Sequence, residues 1–145
     1  MEQTSGPPGP VLGLDLGDAR IGVALSDPDR KMAIPLGTVT TGSPPGELRA
    51  IADIVAEHAV TAVVVGLPVS MSGERGERAQ RAAAFARALE AVLPVSVEMQ
   101  DERLSTVEAE RRLRSSGVRM RARRAVVDQT AATVILQSWL DASAG

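Results

Sequence analysis

The sequence predicts an α/β fold: a mixed five-stranded sheet, flanked by helices, in which a three-stranded antiparallel meander is followed by two parallel strands. Three observations predict it. The first 40 residues hold three extended segments separated by short turns, as in a meander. Two later strands each follow a helical segment, as parallel strands joined by crossovers do. The chain has 145 residues, which is enough for one such domain and too few for two.

The meander is predicted for residues 11–16, 21–26 and 32–40. Pro35 interrupts the third strand and therefore favours a position at the edge of the sheet, because proline cannot donate a ladder hydrogen bond. Residues 1–10 are polar and rich in glycine and proline. We expect them to form a disordered tail that precedes a single domain over residues 11–145.

Two helix–strand units follow the meander. Ser43 and Pro44 suit the N-cap and the first position of a helix, whose buried stripe is Leu48, Ile51, Ala52, Val55 and Ala59. Residues 61–65 lack polar alternation, which predicts a strand buried on both faces. A second helix, with its stripe at Ala79, Ala82, Ala83, Ala86, Leu89 and Leu93, leads to a last strand at residues 95–99.

Two further helices complete the order β-β-β-α-β-α-β-α-α. Ser105 and Glu108 match a capping box, and Gly117 suits the end of that helix. The last helix is predicted from about Ala125 to Asp141. Its apolar stripe consists of Ala131, Ala132, Ile135, Leu136 and Trp139.

Three acidic residues occupy positions where a bare charge is costly. Asp15 interrupts an apolar strand, Glu102 follows another strand, and Asp128 heads the stripe of the last helix. A divalent cation held by all three would supply the missing positive charge. Each carboxylate could instead be stabilised without a metal. Backbone amides of the following turn could serve Asp15, an ion pair with Arg103 or Arg20 could serve Glu102, and the helix dipole could serve Asp128.

Charge is unevenly distributed along the chain. Residues 1–102 carry 14 acidic and 8 basic side chains, whereas residues 103–145 carry 4 and 8. We call residues 111–124 the arginine strip, since this stretch contains no acid and seven arginines: Arg111, Arg112, Arg114, Arg119, Arg121, Arg123 and Arg124. A basic strip near an acidic cluster suits a polyanion that approaches a metal, although a solvated helix end and loop would have the same composition.

Composition excludes several classes of protein. The chain has no cysteine, so it has neither disulfides nor thiolate metal sites. No apolar stretch is long enough to span a bilayer, and the first residues do not resemble a signal peptide, so we expect a cytoplasmic protein. Phe85 and Trp139 are the only aromatic residues. Nucleic acid would therefore be held by its backbone and shape rather than by stacking of its bases.

Four groups of residues, in this order and spacing, resemble the YqgF family of bacterial ribonuclease H-like nucleases. That family is also described as Holliday-junction-resolvase-like and as pre-16S rRNA nucleases. The groups are residues 13–17 with 20–24; residues 65–68 with Gly73; residues 101–106; and residues 127–128 with 131–132 and 135–137. The similarity extends over almost all of residues 11–141.

The resemblance implies a ribonuclease H-like fold in which Asp15, Glu102 and Asp128 are the catalytic triad. These carboxylates would hold one or two Mg²⁺ or Mn²⁺ ions that support phosphodiester hydrolysis. The residues that we expect to contact nucleic acid are Arg20, Ser70, Ser72, Arg103, Arg121, Arg123 and Arg124.

The resemblance also implies the substrate, which is structured RNA at the 5′ end of pre-16S rRNA, in the context of pre-ribosomal particles. Two alternatives stay open. The same site would serve a Holliday junction resolvase acting on branched DNA, which requires a two-fold dimer for symmetric cuts. A non-catalytic RNA-binding assembly factor is the other. Both a monomer and a homodimer are compatible with the sequence.

Overall fold

The computed structural model describes residues 8–17, 20–40, 42, 44–68, 76–101 and 120–144. Its elements are β1 (Val11–Leu16), β2 (Arg20–Ser26), β3 (Ala33–Thr40), α1 (Pro44–Glu57), β4 (Ala62–Leu67), α2 (Glu77–Val92), β5 (Ser96–Asp101) and α3 (Met120–Ala144). The helix predicted between Ser105 and Gly117 lies outside the described residues.

The five strands form one sheet in the order β3-β2-β1-β4-β5. Strand β2 pairs antiparallel with both β1 and β3, whereas β4 pairs parallel with both β1 and β5. The predicted meander and the two parallel strands are therefore confirmed, with β3 at an edge. Because β1, β4 and β5 run in the same direction, their carboxyl ends lie together; we call this side of the molecule the carboxyl edge.

The two faces of the sheet pack against different helices. On one face, Leu12, Leu14 and Leu16 of β1 belong to a core cluster that includes residues of α1 and α2. On the other face, Val11 belongs to a second cluster, formed with α3. Alternation along β1 assigns Gly13 and Asp15 to the α3 side. All six residues of β4 are buried, as predicted for a strand covered on both faces.

Several boundaries and burials differ from the sequence-based expectation. Helix α3 begins at Met120, five residues before the predicted start, because arginine is a good helix former and the basic residues do not interrupt the helix. Ala59 is exposed rather than buried, since α1 ends at Glu57 and Ala59 adopts a left-handed conformation with φ of 53°. Phe85, outside the predicted stripe of α2, is buried in its core cluster.

The turn between β2 and β3 is organised by Asp27, as expected of a turn residue. Its carboxylate accepts hydrogen bonds from the backbone N–H groups of Lys31 and Met32, both at 2.8 Å. The hydrogen bond from the Met32 N–H has the largest effect on the pKa of the Asp27 carboxyl group, and it lowers that pKa below the ordinary value. The turn thus helps to fix the register in which β3 pairs with β2.

Helix α3 approaches the sheet closely over Gly13. A Cβ atom at Gly13 would lie 2.7 Å from Cβ of Leu136 and 3.1 Å from the carbonyl oxygen of Ala132, so only glycine permits the observed separation. At Gly22 a Cβ would meet Ala132 at 3.6 Å and Asp15 at 3.8 Å, which are ordinary contact distances. None of the helices in the described part of the chain is long and apolar enough to cross a membrane.

These distances predict opposite outcomes for two matched substitutions. Gly13→Ala forces α3 away from the sheet and should lower the free energy of unfolding by about 1–3 kcal/mol, as overpacking typically does. Gly22→Ala should change it by less than about 1 kcal/mol and in the stabilising direction, because it reduces the freedom of the unfolded chain. Urea denaturation followed by circular dichroism measures both, and equal losses in the two variants would contradict the packing described.

Candidate active site

Asp15 lies near the end of β1, one of the inner strands of the sheet, on the face covered by α3. Its carboxylate is half-buried, and its direct neighbour on β2 is Gly22, which has no side chain to fill the adjacent space. Among the described residues, none donates a hydrogen bond to this carboxylate or forms an ion pair with it. A partly desolvated carboxylate without a protein partner needs a cation or solvent to stabilise its charge.

A groove of about 940 Å³ opens beside Asp15, between α3 and the strands β2 and β3. The described residues that line it are Asp15, Gly17, Arg20, Gly22, Pro35, Leu36, Gly37, Thr38, Ala131 and Ala132. Small side chains dominate the floor and the described part of the α3 wall. Arg20 and Asp15 are the two charged residues in this lining.

The wall that β3 contributes is shaped by a bulge. Pro35 lies opposite Ala24 and Gly37 lies opposite Val23, so Leu36 is an extra residue without a partner on β2. Gly37 has a φ of 145°, which favours glycine, and nothing lies within 4 Å of the position that a Cβ would take. The bulge widens the rim of the groove next to Thr38.

Helix α3 runs antiparallel to β1, because Ala132 lies beside Gly22 and Asp15 while Leu136 lies over Gly13. Asp128 is a residue of α3, four positions before Ala132. It therefore occupies nearly the same angular position on the helix, one turn closer to the carboxyl edge. The fold thus brings the segments that carry Asp15 and Asp128 to the same end of the sheet.

Strand β5 reaches that edge on the far side of β4. Asp101, its last residue, pairs with Leu67 of β4. Glu102 follows Asp101 directly in the chain and lies outside the described residues. No group of three or more potential metal ligands is found within the described residues, which include neither Glu102 nor the side chain of Asp128.

Polar contacts hold α3 in place over the sheet. The side-chain amide of Gln137 accepts a hydrogen bond from the backbone N–H of Ala33 at 2.9 Å and donates one to the carbonyl of Lys31 at 3.0 Å. On the other side of the helix, Gln100 of β5 donates to Ser138 at 3.1 Å. Helix α3 is thus tied both to the start of β3 and to β5, which fixes its position relative to the groove.

Both aromatic side chains are engaged within the fold. Phe85 is buried in the core beneath α2. Trp139 packs against the cluster beneath α3, donates to Glu98 at 3.3 Å, and has the guanidinium of Arg30 5.9 Å from the centre of its ring. The structure agrees with the expectation that neither ring is free to stack on a base.

The turn after Asp15 is held from the opposite side of the sheet. The N–H of Gly17 donates to the carbonyl of Arg20 at 2.9 Å, and Arg81 of α2 donates to the carbonyl of Gly17 at 2.6 Å. A Cβ at Gly17 would lie 2.7 Å from the Arg20 carbonyl oxygen, so the close turn requires glycine. Arg81 therefore helps position the segment that carries Asp15 and Arg20, a role without a local sequence signal.

The structure describes only some of the residues expected to contact nucleic acid. Arg20 is exposed and lines the groove, as expected of a phosphate contact. Arg121, Arg123 and Arg124 lie in the first turns of α3. The remaining three, Ser70, Ser72 and Arg103, lie outside the described residues. Sequence reasoning missed the groove wall on β3, although the Pro-Leu-Gly string at residues 35–37 is a signal of an irregular edge strand.

The chain matches a family model over residues 9–142, and that family is RuvX, described as Holliday junction resolvase and corresponding to YqgF. Two relatives carry the name "Putative pre-16S rRNA nuclease". The protein from Rhodococcus opacus (strain B4) is 50% identical over 135 residues, covering 90% of this chain and 76% of its own. The protein from Chloroflexus aggregans (strain MD-66 / DSM 9485) is 48% identical over 132 residues, which cover 91% of this chain and 93% of that protein.

Solved structures extend the comparison to the fold. T. thermophilus RuvC, in complex with a Holliday junction substrate, has a TM-score of 0.65 at 16% identity, over 94% of this chain and 96% of its own. The fowlpox virus Holliday junction resolvase has a TM-score of 0.52 at 9% identity, over 92% and 99%. These similarities show a shared ribonuclease H-like fold. Together with the family match along almost the whole sequence, they establish that the chain belongs to the RuvX (YqgF) family of nucleases.

Proposed function

We propose that this protein is a metal-dependent phosphodiester nuclease that processes the 5′ end of pre-16S rRNA. One observation carries the proposal: Asp15 is a half-buried carboxylate without a partner among the described residues, and it lies on the floor of an open groove of about 940 Å³. A carboxylate in this setting is suited to bind a cation at the point where a phosphate would enter.

The residues at the carboxyl edge fit a hard divalent cation. No described residue binds the carboxylate oxygens of Asp15, and Gly22 has no side chain beside them. We propose that Asp15, Glu102 and Asp128 together hold Mg²⁺ or Mn²⁺, which prefer oxygen ligands. When bound, the metal would lower the pKa of water and stabilise charge on the phosphate. The protein's own part is to fix the spacing of the three carboxylates and to orient the strand.

Electrostatics supports a polyanionic substrate. Arg121, Arg123 and Arg124 lie at the N-terminal end of α3, whose first turn contains no acidic residue. Cations at this end of a helix are opposed by its dipole, so the arginines gain no stabilisation from the dipole. Arginines and the helix N-terminus instead combine to attract phosphates. Arg121 and Arg124 are seven and four positions before Asp128, and so lie on the same side of the helix as the proposed ligand.

We choose pre-16S rRNA as the substrate because the relatives are named "Putative pre-16S rRNA nuclease". These relatives are 50% and 48% identical to this chain over most of its length. We propose that the protein acts in the cytoplasm, on structured RNA within pre-ribosomal particles. A Holliday junction resolvase is the second candidate, favoured by the family description and by the fold shared with RuvC. That function requires a homodimer that presents two active sites to one junction.

The first test removes each proposed ligand. Asp15→Asn, Glu102→Gln and Asp128→Asn should each reduce Mg²⁺- or Mn²⁺-dependent cleavage by at least about 100-fold, equivalent to about 2.7 kcal/mol of barrier. The fold should persist, because loss of charge relieves repulsion between the carboxylates. Cleavage of a pre-16S leader RNA and of a four-way DNA junction is measured for every variant, with thermal unfolding as the check on folding.

Asp53→Asn is the matched control, since Asp53 is an exposed carboxylate on α1 and should be dispensable. If two of the three ligand variants kept wild-type turnover at saturating metal, the triad would be wrong. Faster cleavage of the leader than of the junction is expected. The opposite order, combined with a stable dimer, would favour the resolvase, and binding of RNA without cleavage would favour a non-catalytic assembly factor.

The second test concerns the arginine strip. Replacing Arg121, Arg123 and Arg124 by Ala should weaken binding to unrelated sequences and flatten the plot of log affinity against log salt by about one unit per lost contact. Arg49 and Arg87 are exposed arginines on α1 and α2, and their replacement by Ala should leave the slope unchanged. Fluorescence anisotropy across a salt series measures both. An unaltered slope in the triple variant would mean that these arginines are only solvated.

The third test concerns recognition by shape. Because Phe85 and Trp139 are engaged in the fold, the protein lacks rings for stacking on bases. Scrambling a cleaved RNA while preserving its base pairing should change the rate by less than about tenfold, or 1.4 kcal/mol, whereas removing the pairing should cost more. Gel-based cleavage of the paired, scrambled and unstructured RNAs decides this. Rapid cleavage of an unstructured strand at one fixed sequence would contradict it.

A further inference from the structure

Three residues on neighbouring strands form a straight row across the floor of the groove. Asp15 of β1 lies directly opposite Gly22 of β2, and Gly22 lies directly opposite Thr38 of β3. Val39, the next residue, packs against the α1 and α2 cluster, so Thr38 belongs to the α3 side of the sheet together with Asp15. We call these three residues the floor row.

All three residues of the floor row line the same groove. Strands in a sheet are about 4.8 Å apart, so Asp15 and Thr38 are about 10 Å apart at the backbone. Gly22 contributes no side chain between them, and Ala132 is the nearest part of α3 above Gly22. The floor row therefore lines the groove from the proposed metal ligand Asp15 to the rim of the sheet.

Thr38 is the polar group at the outer end of the floor row. It is exposed and lines the groove beside Pro35, Leu36 and Gly37, which have no polar side-chain atoms. Within the described part of the chain, no residue forms a hydrogen bond with its hydroxyl. A threonine hydroxyl both donates and accepts, so it can bind a phosphate oxygen or a ribose 2′-hydroxyl.

We propose that the floor row is a subsite for the sugar–phosphate backbone of the strand being cut, with Thr38 as a positioning residue at its outer end. The inference rests on the proposed function, because it places the scissile phosphate at Asp15. A span of about 10 Å corresponds to two or three nucleotides of stacked strand. Thr38 thus contacts a nucleotide at that distance from the cut and holds the strand in register with the carboxylates.

The test measures binding separately from cleavage. Fluorescein-labelled hairpin RNA and DNA of the same sequence are titrated with protein in the absence of divalent metal. Thr38→Val, which removes the hydroxyl and keeps the shape, should weaken binding about three- to tenfold, the range expected for one hydrogen bond. Thr38→Ser restores the hydroxyl and should bind within about twofold of wild type.

Thr40→Val provides the matched control, because Thr40 lies two residues along the same edge strand and is not among the described residues that line the groove. It should leave binding unchanged. Equal weakening of RNA and DNA by Thr38→Val supports the subsite through a phosphate contact. Weakening of RNA alone supports it through the 2′-hydroxyl. Unchanged binding by Thr38→Val, or the same loss from Thr40→Val, overturns the proposal.

The outcomes separate this inference from the proposed function. If wild-type protein cleaves RNA with Mg²⁺ while Thr38→Val binds and cleaves normally, the nuclease assignment stands and the subsite is wrong. If wild-type protein does not cleave and binding still depends on the Thr38 hydroxyl, the floor row still binds the sugar–phosphate backbone and the nuclease assignment is wrong. A higher KM with an unchanged kcat for Thr38→Val is the expected kinetic result, since the contact is remote from the reacting phosphate.

Discussion

The packing of α3 against Gly13 is the constraint on which the rest of the site depends. With no side chain at Gly13, Leu136 and the carbonyl of Ala132 come into close contact with β1. This contact sets the height of the helix above the sheet. It also sets the distance between Asp15 and the helical turn that contains Asp128. A larger residue at Gly13 would lift α3 and separate the two acidic segments.

Apolar packing alone does not fix the rotation of α3 about its axis or its position along the sheet. Polar contacts fix both. Gln137 forms a two-point contact with the backbone at the start of β3, and Gln100 reaches Ser138 from β5. Hydrogen bonds are directional, whereas apolar contacts are not. These hydrogen bonds connect α3 to β3, the two walls of the groove, at one end of the groove. The width of the groove therefore depends on hydrogen bonds as well as on hydrophobic packing.

The carboxyl edge gathers groups from both faces of the sheet. Helix α3 brings the N-terminal arginines on one side, while Arg81 of α2 reaches the turn after Asp15 from the other. Among the residues that the structure describes, Asp15 and Arg20 are the charged residues that line the groove. In the proposed function, such an arrangement would attract phosphate and direct it toward the carboxylates, whereas a uniformly basic surface would attract it without a preferred point of attack.

Sequence by itself predicted the five strands, the three helices that the structure describes, and the acidic candidates. Alternation and helical spacing predicted β1, the buried β4 and the apolar stripe of α3, because these patterns are local consequences of burial on one or both faces. Tertiary structure alone decided that Asp15, Gly22 and Thr38 form a row, because strand register depends on pairing between segments distant in the chain. The tertiary structure also decided the roles of Arg81 and Gln137. The residues around an arginine or a glutamine in the sequence do not show whether its side chain contacts solvent or another segment of the chain.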